Sequence, residues 1–169
     1  MDIKQIYIKS LDESQSYLER SLNTLTQEEL SWAPKSDCGS ILFIFWHLAR
    51  VEDFWINGAL KSGVEIYESD GWQKLLGTPE KESGVRYDEE KLRSWPKPDK
   101  DIIVQYSSAA RTKTLEYLDS LNEKDYQREI RLGDRVITVQ DSLTHLITEI
   151  ALHVGQIDYL RGMIRGLQS

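Results

Sequence analysis

Apolar residues recur at three- and four-residue steps in four separate stretches of this chain, and that repetition constrains its fold more than any other feature. Residues 3–25 carry Ile3, Ile6, Tyr7, Leu11, Leu18, Leu22 and Leu25 at this spacing, with Lys4, Glu13, Glu19 and Arg20 between them. The pattern predicts a long amphipathic helix, because an apolar stripe at the helical repeat is what packs one face against a core. Residues 40–61 contain the run ILFIFWHLARVEDFWINGAL, apolar around most of a helical circumference until Arg50, Glu52 and Asp53. This should be the most buried helix. A third segment, 99–121, presents Ile102, Ile103, Tyr106, Ala110, Leu115, Leu118 and Leu121, with Pro98 and Asp99 marking its start. The fourth opens at a cap on Thr138 or Asp141 and runs to about residue 167.

The intervening sequence supplies the punctuation. Thr26 and Glu29 form a capping-box pattern for a short turn, Pro34 and Gly39 stop anything longer, and Ser40 caps the second long helix. Residues 62–99 scatter glycines and prolines among charges, which predicts a long connection with one or two helical turns, packed down by Trp72 and Trp95. In 122–140, Gly133 and Asp134 separate short runs holding Ile130, Leu132, Val136 and Val139, the pattern of a two-stranded ribbon. The expected fold is all-α: a four-helix bundle with one long crossover, a small β-ribbon before the last helix, and a single domain over residues 1–169.

Charge and cysteine usage narrow the function. Lys and Arg total 21 against 28 Asp and Glu, a net charge of −7, so no basic surplus exists to neutralise nucleic acid or an anionic membrane. A lone Cys38 cannot staple the fold and suits a reducing cytoplasm. The N-terminal MDIKQIYIKSLDE lacks the basic leader and apolar run of a signal peptide, and nothing is apolar enough to span a membrane.

The three histidines carry the chemistry. His47 lies in the most apolar helix, while His145 and His153 lie on the last one with Glu149 midway between them. At about 100° per residue, Glu149 falls ~40°, His153 ~80° and Gln156 ~20° from His145, so all four share one face. Leu146, Ile157, Leu160 and Ile164 occupy the same sector, which predicts that these polar groups interrupt the stripe facing the bundle interior. Buried imidazoles and a carboxylate need partners or a metal. Two side chains four residues apart on one helix can chelate one ion, and His47 from a facing helix would add a third donor, a set suited to Zn²⁺ or another borderline divalent ion. Taken singly, each histidine also fits an ordinary core or cap residue, and Glu149 an ion pair.

Two segments resemble a known family. ELSWAPKSDCGSILFIFWHLARVEDFW, a tryptophan and proline loop entering a buried helix with His-Leu-Ala, is similar to the DinB-like (YfiT-like) superfamily of four-helix metalloproteins. HLITEIALHVGQIDYLRG is similar to that superfamily's last-helix motif. The resemblance implies a metal triad at His47, Glu149 and His153, with Zn²⁺ or Ni²⁺ as the ion and His145 and Gln156 beside it. Many members have histidine where this chain has Glu149; a branch resembling the mycothiol-dependent maleylpyruvate isomerases has glutamate there. The implied activity is transfer or isomerisation with a low-molecular-weight thiol cosubstrate and a small-molecule substrate. A metal-dependent hydrolase and a non-catalytic metal- or ligand-binding module are the alternatives.

Other features carry less. Cys38 reads as an incidental thiol, Ser40 and Ser142 as caps, and Trp32, Trp46 and Trp55 as core. A homodimer is expected, partly from the resemblance and partly because Tyr7, Ile8, Tyr17, Tyr106 and Tyr117 extend beyond narrow stripes.

Overall fold

A computed structural model describes residues 2–166. Asp2 caps the first helix, α1 (Ile3–Leu22), by accepting from the Lys4 amide. Thr26 and Glu29 close a reciprocal capping box on α2 (Gln27–Ser31), as their spacing predicts. Ser40 accepts from the Phe43 amide and starts α3 (Ile41–Asp53), which continues without a break as a π-helical segment, Phe54–Leu60. The crossover contains three short helices, α4 (Ile66–Ser69), α5 (Trp72–Leu76) and α6 (Glu89–Ser94), and so holds more helix than its glycines and prolines suggest. Asp99 caps α7 (Lys100–Ser120). Strands β1 (Glu129–Leu132) and β2 (Arg135–Thr138) pair antiparallel around Gly133 and Asp134. Gly133 has a φ of +60°, which glycine adopts without steric cost at the first position of so tight a hairpin. Thr138 and Asp141 then form a capping box on α8 (Val139–Arg165).

The bundle consists of α1, α3, α7 and α8. Helix α3 packs on both α7 and α8, and α8 also packs on α1. Its apolar run makes α3 the spine: Ile41, Leu42, Trp46 and Ile56 are sealed from solvent, together with Ile103 and Leu118 of α7 and Leu146, Ile150 and Ile157 of α8. Trp95 is buried and Trp72 packs against this core, so the crossover is held down by the two expected tryptophans. No helix among the described residues is long and apolar enough to cross a membrane.

Several expectations need correction. Leu115 faces outward, and Thr114 and Tyr117 take the inward positions of α7 in its place. Trp32 is 40% exposed, because α2 ends before it and leaves it at the bundle rim. Tyr7, Tyr106 and Tyr117 are core residues; of the tyrosines expected outside the bundle, Tyr17 alone stays exposed. Their hydroxyls find partners at the edge of the core: Tyr7 meets Thr144 of α8 at 3.2 Å, and Tyr117 accepts from Arg128 at 3.0 Å. A tyrosine with a satisfied hydroxyl packs like any large apolar residue.

Candidate metal centre

The apolar periodicity of α3 and α8 brings His47 and His153 together where the two helices touch. Their rings meet edge to face, with centroids 4.9 Å apart and planes at 84°. His47 is held from the crossover side, where its Nδ1 lies 2.5 Å from the Ser83 carbonyl oxygen. Burial pushes the His47 imidazole below its ordinary pKa against the opposing pull of that carbonyl; the nearby His153 lowers it further, and the Glu149 charge raises it. His153 is half-buried, and its Nδ1 lies 2.9 Å from Gln156 Oε1 one turn along α8.

Glu149 lies one turn before His153, with its side chain 31% exposed, and its Oε1 is 3.5 Å from His145 Nε2. His145 is more open, at 52%, and its ring packs edge-on against Trp55 of the π-helical segment at 5.0 Å between centroids. The expectation that the four polar residues of α8 interrupt the inward stripe is therefore corrected. The inward positions belong to Leu143, Leu146, Ile150, Val154, Ile157 and Leu160, and the polar face lies beside them at the rim, with Gln156 exposed. A rim position keeps the imidazoles solvated enough to avoid the cost of full burial.

Two imidazoles and a carboxylate on facing helices match a borderline divalent ion in donor type. Among the described residues, however, no three His, Cys, Asp or Glu side chains are gathered closely enough to hold one ion. The pair His47 and His153 is assembled, while the Glu149 carboxylate turns toward His145. His145 thus belongs to the same face as a partner of Glu149, and Gln156 as a partner of His153.

A second polar cluster lies deeper and escaped the sequence reading. Arg50, Glu52 and Asp53, which look like the solvated end of the apolar helix, are 2%, 2% and 0% exposed. Asp53 accepts from the Ile66 and Tyr67 amides, Asn57 Nδ2 and the Tyr106 hydroxyl, all at 2.8–3.0 Å. Arg50 reaches Glu65 at 2.6 Å, the Tyr106 hydroxyl at 2.9 Å and the Glu82 carbonyl at 2.8 Å, and stacks on the Tyr67 ring at 3.7 Å. Burial acts against the Arg50 charge, yet Tyr106 and Glu65 outweigh it and raise its pKa. Glu52 receives Arg111 in a two-pronged contact at 2.7 and 3.1 Å and the Thr114 hydroxyl at 2.7 Å. The cluster ties the start of α4 and the 79–84 stretch of the crossover to α3, one turn from His47. The available signal was three charges inside the most apolar helix, where burial of any of them requires a partner.

The Cys38 thiol lies 3.6 Å from the carboxylate of its neighbour Asp37. Ser40 is a cap, whereas Ser142 donates back to the Thr138 carbonyl at 2.9 Å.

A crystal structure of a conserved protein from Enterococcus faecalis superposes with a TM-score of 0.87, covering 98% of this chain and 99% of that one at 24% identity, which shows a shared fold. No curated protein matches the chain. The sequence model of the DinB superfamily matches residues 10–157, a span that includes α3, the crossover and the histidine face of α8. The chain belongs to the DinB superfamily.

Proposed function

We infer that this protein is a divalent-metal-dependent enzyme whose ion would be held by His47, His153 and Glu149. The observation that carries the reading is the edge-to-face approach of His47 and His153 across the α3–α8 contact at 4.9 Å, with a carboxylate one turn away on the same face. Zn²⁺ and Ni²⁺ suit two imidazoles and one carboxylate. Three protein donors leave room for an exogenous ligand, and a bound divalent ion supplies a lowered pKa to a coordinated thiol or water. The resemblance of the α8 motif to thiol-dependent isomerases supports a low-molecular-weight thiol as cosubstrate in a transfer or isomerisation reaction. The chain's own residues shape the surroundings: Trp55 and His145 wall one side, and the 82–84 segment covers His47 on the other.

Metal analysis of the purified protein tests the site. About one ion per chain is expected in the wild type and none in the His47→Ala, His153→Ala double variant; equal metal in both overturns the assignment. Assays of the metal-loaded protein against a panel of low-molecular-weight thiols and electrophiles then test the reaction class. Turnover that requires thiol supports it, turnover by water alone makes the protein a hydrolase, and a loaded protein with no turnover is a binding module.

We also propose that two copies of the chain pair. The buried tyrosines no longer support this, but Leu152, Tyr159 and Met163 are 62%, 71% and 50% exposed along α8, a stripe suited to an interface. Sedimentation at micromolar concentration decides it, and a single 19.6 kDa species refutes it.

A further inference from the structure

We propose that the Ser83 carbonyl and the Gln156 side chain are the positioning groups of the metal centre, fixing His47 and His153 in the same tautomer, with hydrogen on Nδ1 and the lone pair on Nε2. The inference rests on the metal reading above for its purpose, but on hydrogen-bond chemistry for its content.

A neutral imidazole has one N–H and one bare nitrogen, and its neighbours decide which is which. A peptide carbonyl can only accept, so the nitrogen of His47 that faces the Ser83 oxygen, Nδ1, must carry the hydrogen. The amide oxygen of Gln156 can likewise only accept, and it faces Nδ1 of His153 at 2.9 Å. The two rings come from different helices and have unrelated partners, yet each presents the same nitrogen to an outer oxygen. Each is left with Nε2 as its lone-pair donor. An outer oxygen on the far nitrogen is the usual means by which a protein orients a metal-binding imidazole and raises its basicity.

The crossover is built to deliver this carbonyl. A Cβ at Gly84 would lie 2.8 Å from His47 Nδ1, 3.2 Å from its Cγ and 3.0 Å from Trp46 Cζ3, and φ at Gly84 is +84°. Only glycine lets the backbone lie this close to the ring edge in that conformation. The preceding carbonyl, of Glu82, is received by Arg50 Nε at 2.8 Å. Two successive carbonyls of the crossover are thus clamped by two side chains one turn apart on α3. Arg50 is itself anchored by Glu65 and Tyr106, which extends the support of His47 into the core.

The test reads tautomers directly, in the full-length protein stripped with chelator and held at about pH 8.5, where imidazoles are neutral. Long-range ¹H–¹⁵N correlation, assigned with His47→Gln and His153→Gln, is expected to show the Nδ1–H pattern at both rings. Gln156→Leu, at an exposed position, should return His153 to a tautomer mixture, leave His47 unchanged, and weaken Zn²⁺ binding by about tenfold to hundredfold in competition with a chromophoric chelator. Gln156→Glu keeps an acceptor and should retain both the tautomer and the affinity. Gly84→Ala should disturb His47 and leave His153 as it is.

An Nε2–H pattern at either ring of the wild type overturns the inference. So does a Gln156→Leu protein with wild-type tautomers, or one with wild-type Zn²⁺ affinity. If the wild type shows the expected tautomers yet takes up no Zn²⁺, the positioning stands and the metal function fails. The thermal midpoint of each variant, expected to stay near the wild type for Gln156→Leu, separates lost positioning from lost structure.

Discussion

His47 and Ser83 are joined by a hydrogen bond between a bundle helix and the crossover, and the same imidazole ring stands roughly perpendicular to that of His153 on α8. The candidate centre therefore depends on three parts of the chain that are distant in sequence. Metal occupancy should respond to acid accordingly. Protons compete with a metal for imidazole and carboxylate lone pairs, so Zn²⁺ affinity is expected to fall on acidification. The α3 core does not depend on the ion, so chelation is expected to lower the thermal midpoint while helical circular dichroism persists. Complete loss of helicity in chelator would contradict this.

His145 holds the Glu149 carboxylate at 3.5 Å, so an ion must compete with it for that group. Both side chains are partly exposed, and such pairs contribute about 0–1 kcal/mol. His145→Ala should therefore change Zn²⁺ affinity by less than about fivefold, whereas His153→Ala should abolish tight binding. Comparable losses in the two variants would make His145 a ligand.

The Asp53 carboxylate is fully buried and accepts two amides, a carboxamide and a hydroxyl, with Arg50 beside it. Removing it leaves the buried Arg50 with Glu65 as its remaining carboxylate partner and strands the Ile66 and Tyr67 amides away from water. Asp53→Ala is expected to destabilise the protein by about 3–5 kcal/mol. The Arg93–Glu89 pair on α6 has similar chemistry but is 74% and 49% exposed, so Glu89→Ala should cost less than about 1 kcal/mol. Chemical denaturation of the two variants measures the contrast.

Glu29 links α2 to the last turn of α8. The Arg165 guanidinium, with the Thr26 amide, holds its carboxyl at about 2, down from an ordinary 4.5. Between these values the unfolded chain takes up a proton that the folded chain refuses, so this contribution to stability is complete above 4.5 and is lost as pH falls toward 2. Glu29→Gln should be less stable than wild type at neutral pH, and the difference should shrink across that window. A constant difference in denaturation midpoint would remove the charge from the explanation.

The sequence by itself determined the helical scaffold and the ribbon. Those features are local: the apolar spacing of α1, α3, α7 and α8, the Thr26 and Thr138 capping boxes and the Gly133 turn each depend on residues a few positions apart. The shared face of His145, Glu149, His153 and Gln156 was equally legible, since helical angle follows from spacing alone. Tertiary structure decided what that face meets. Helical spacing says which residues lie together on α8, but not how far the helix is rotated against α3. That rotation puts the polar face at the rim with the leucines and isoleucines beneath it, turns Glu149 toward His145, and sets His153 on His47. Nothing local announces that the Ser83 carbonyl lies on His47, or that Arg50 and Asp53 are sealed by Glu65, Tyr67 and Tyr106. Those contacts join residues across the crossover, and only the packing of the whole chain chooses their partners.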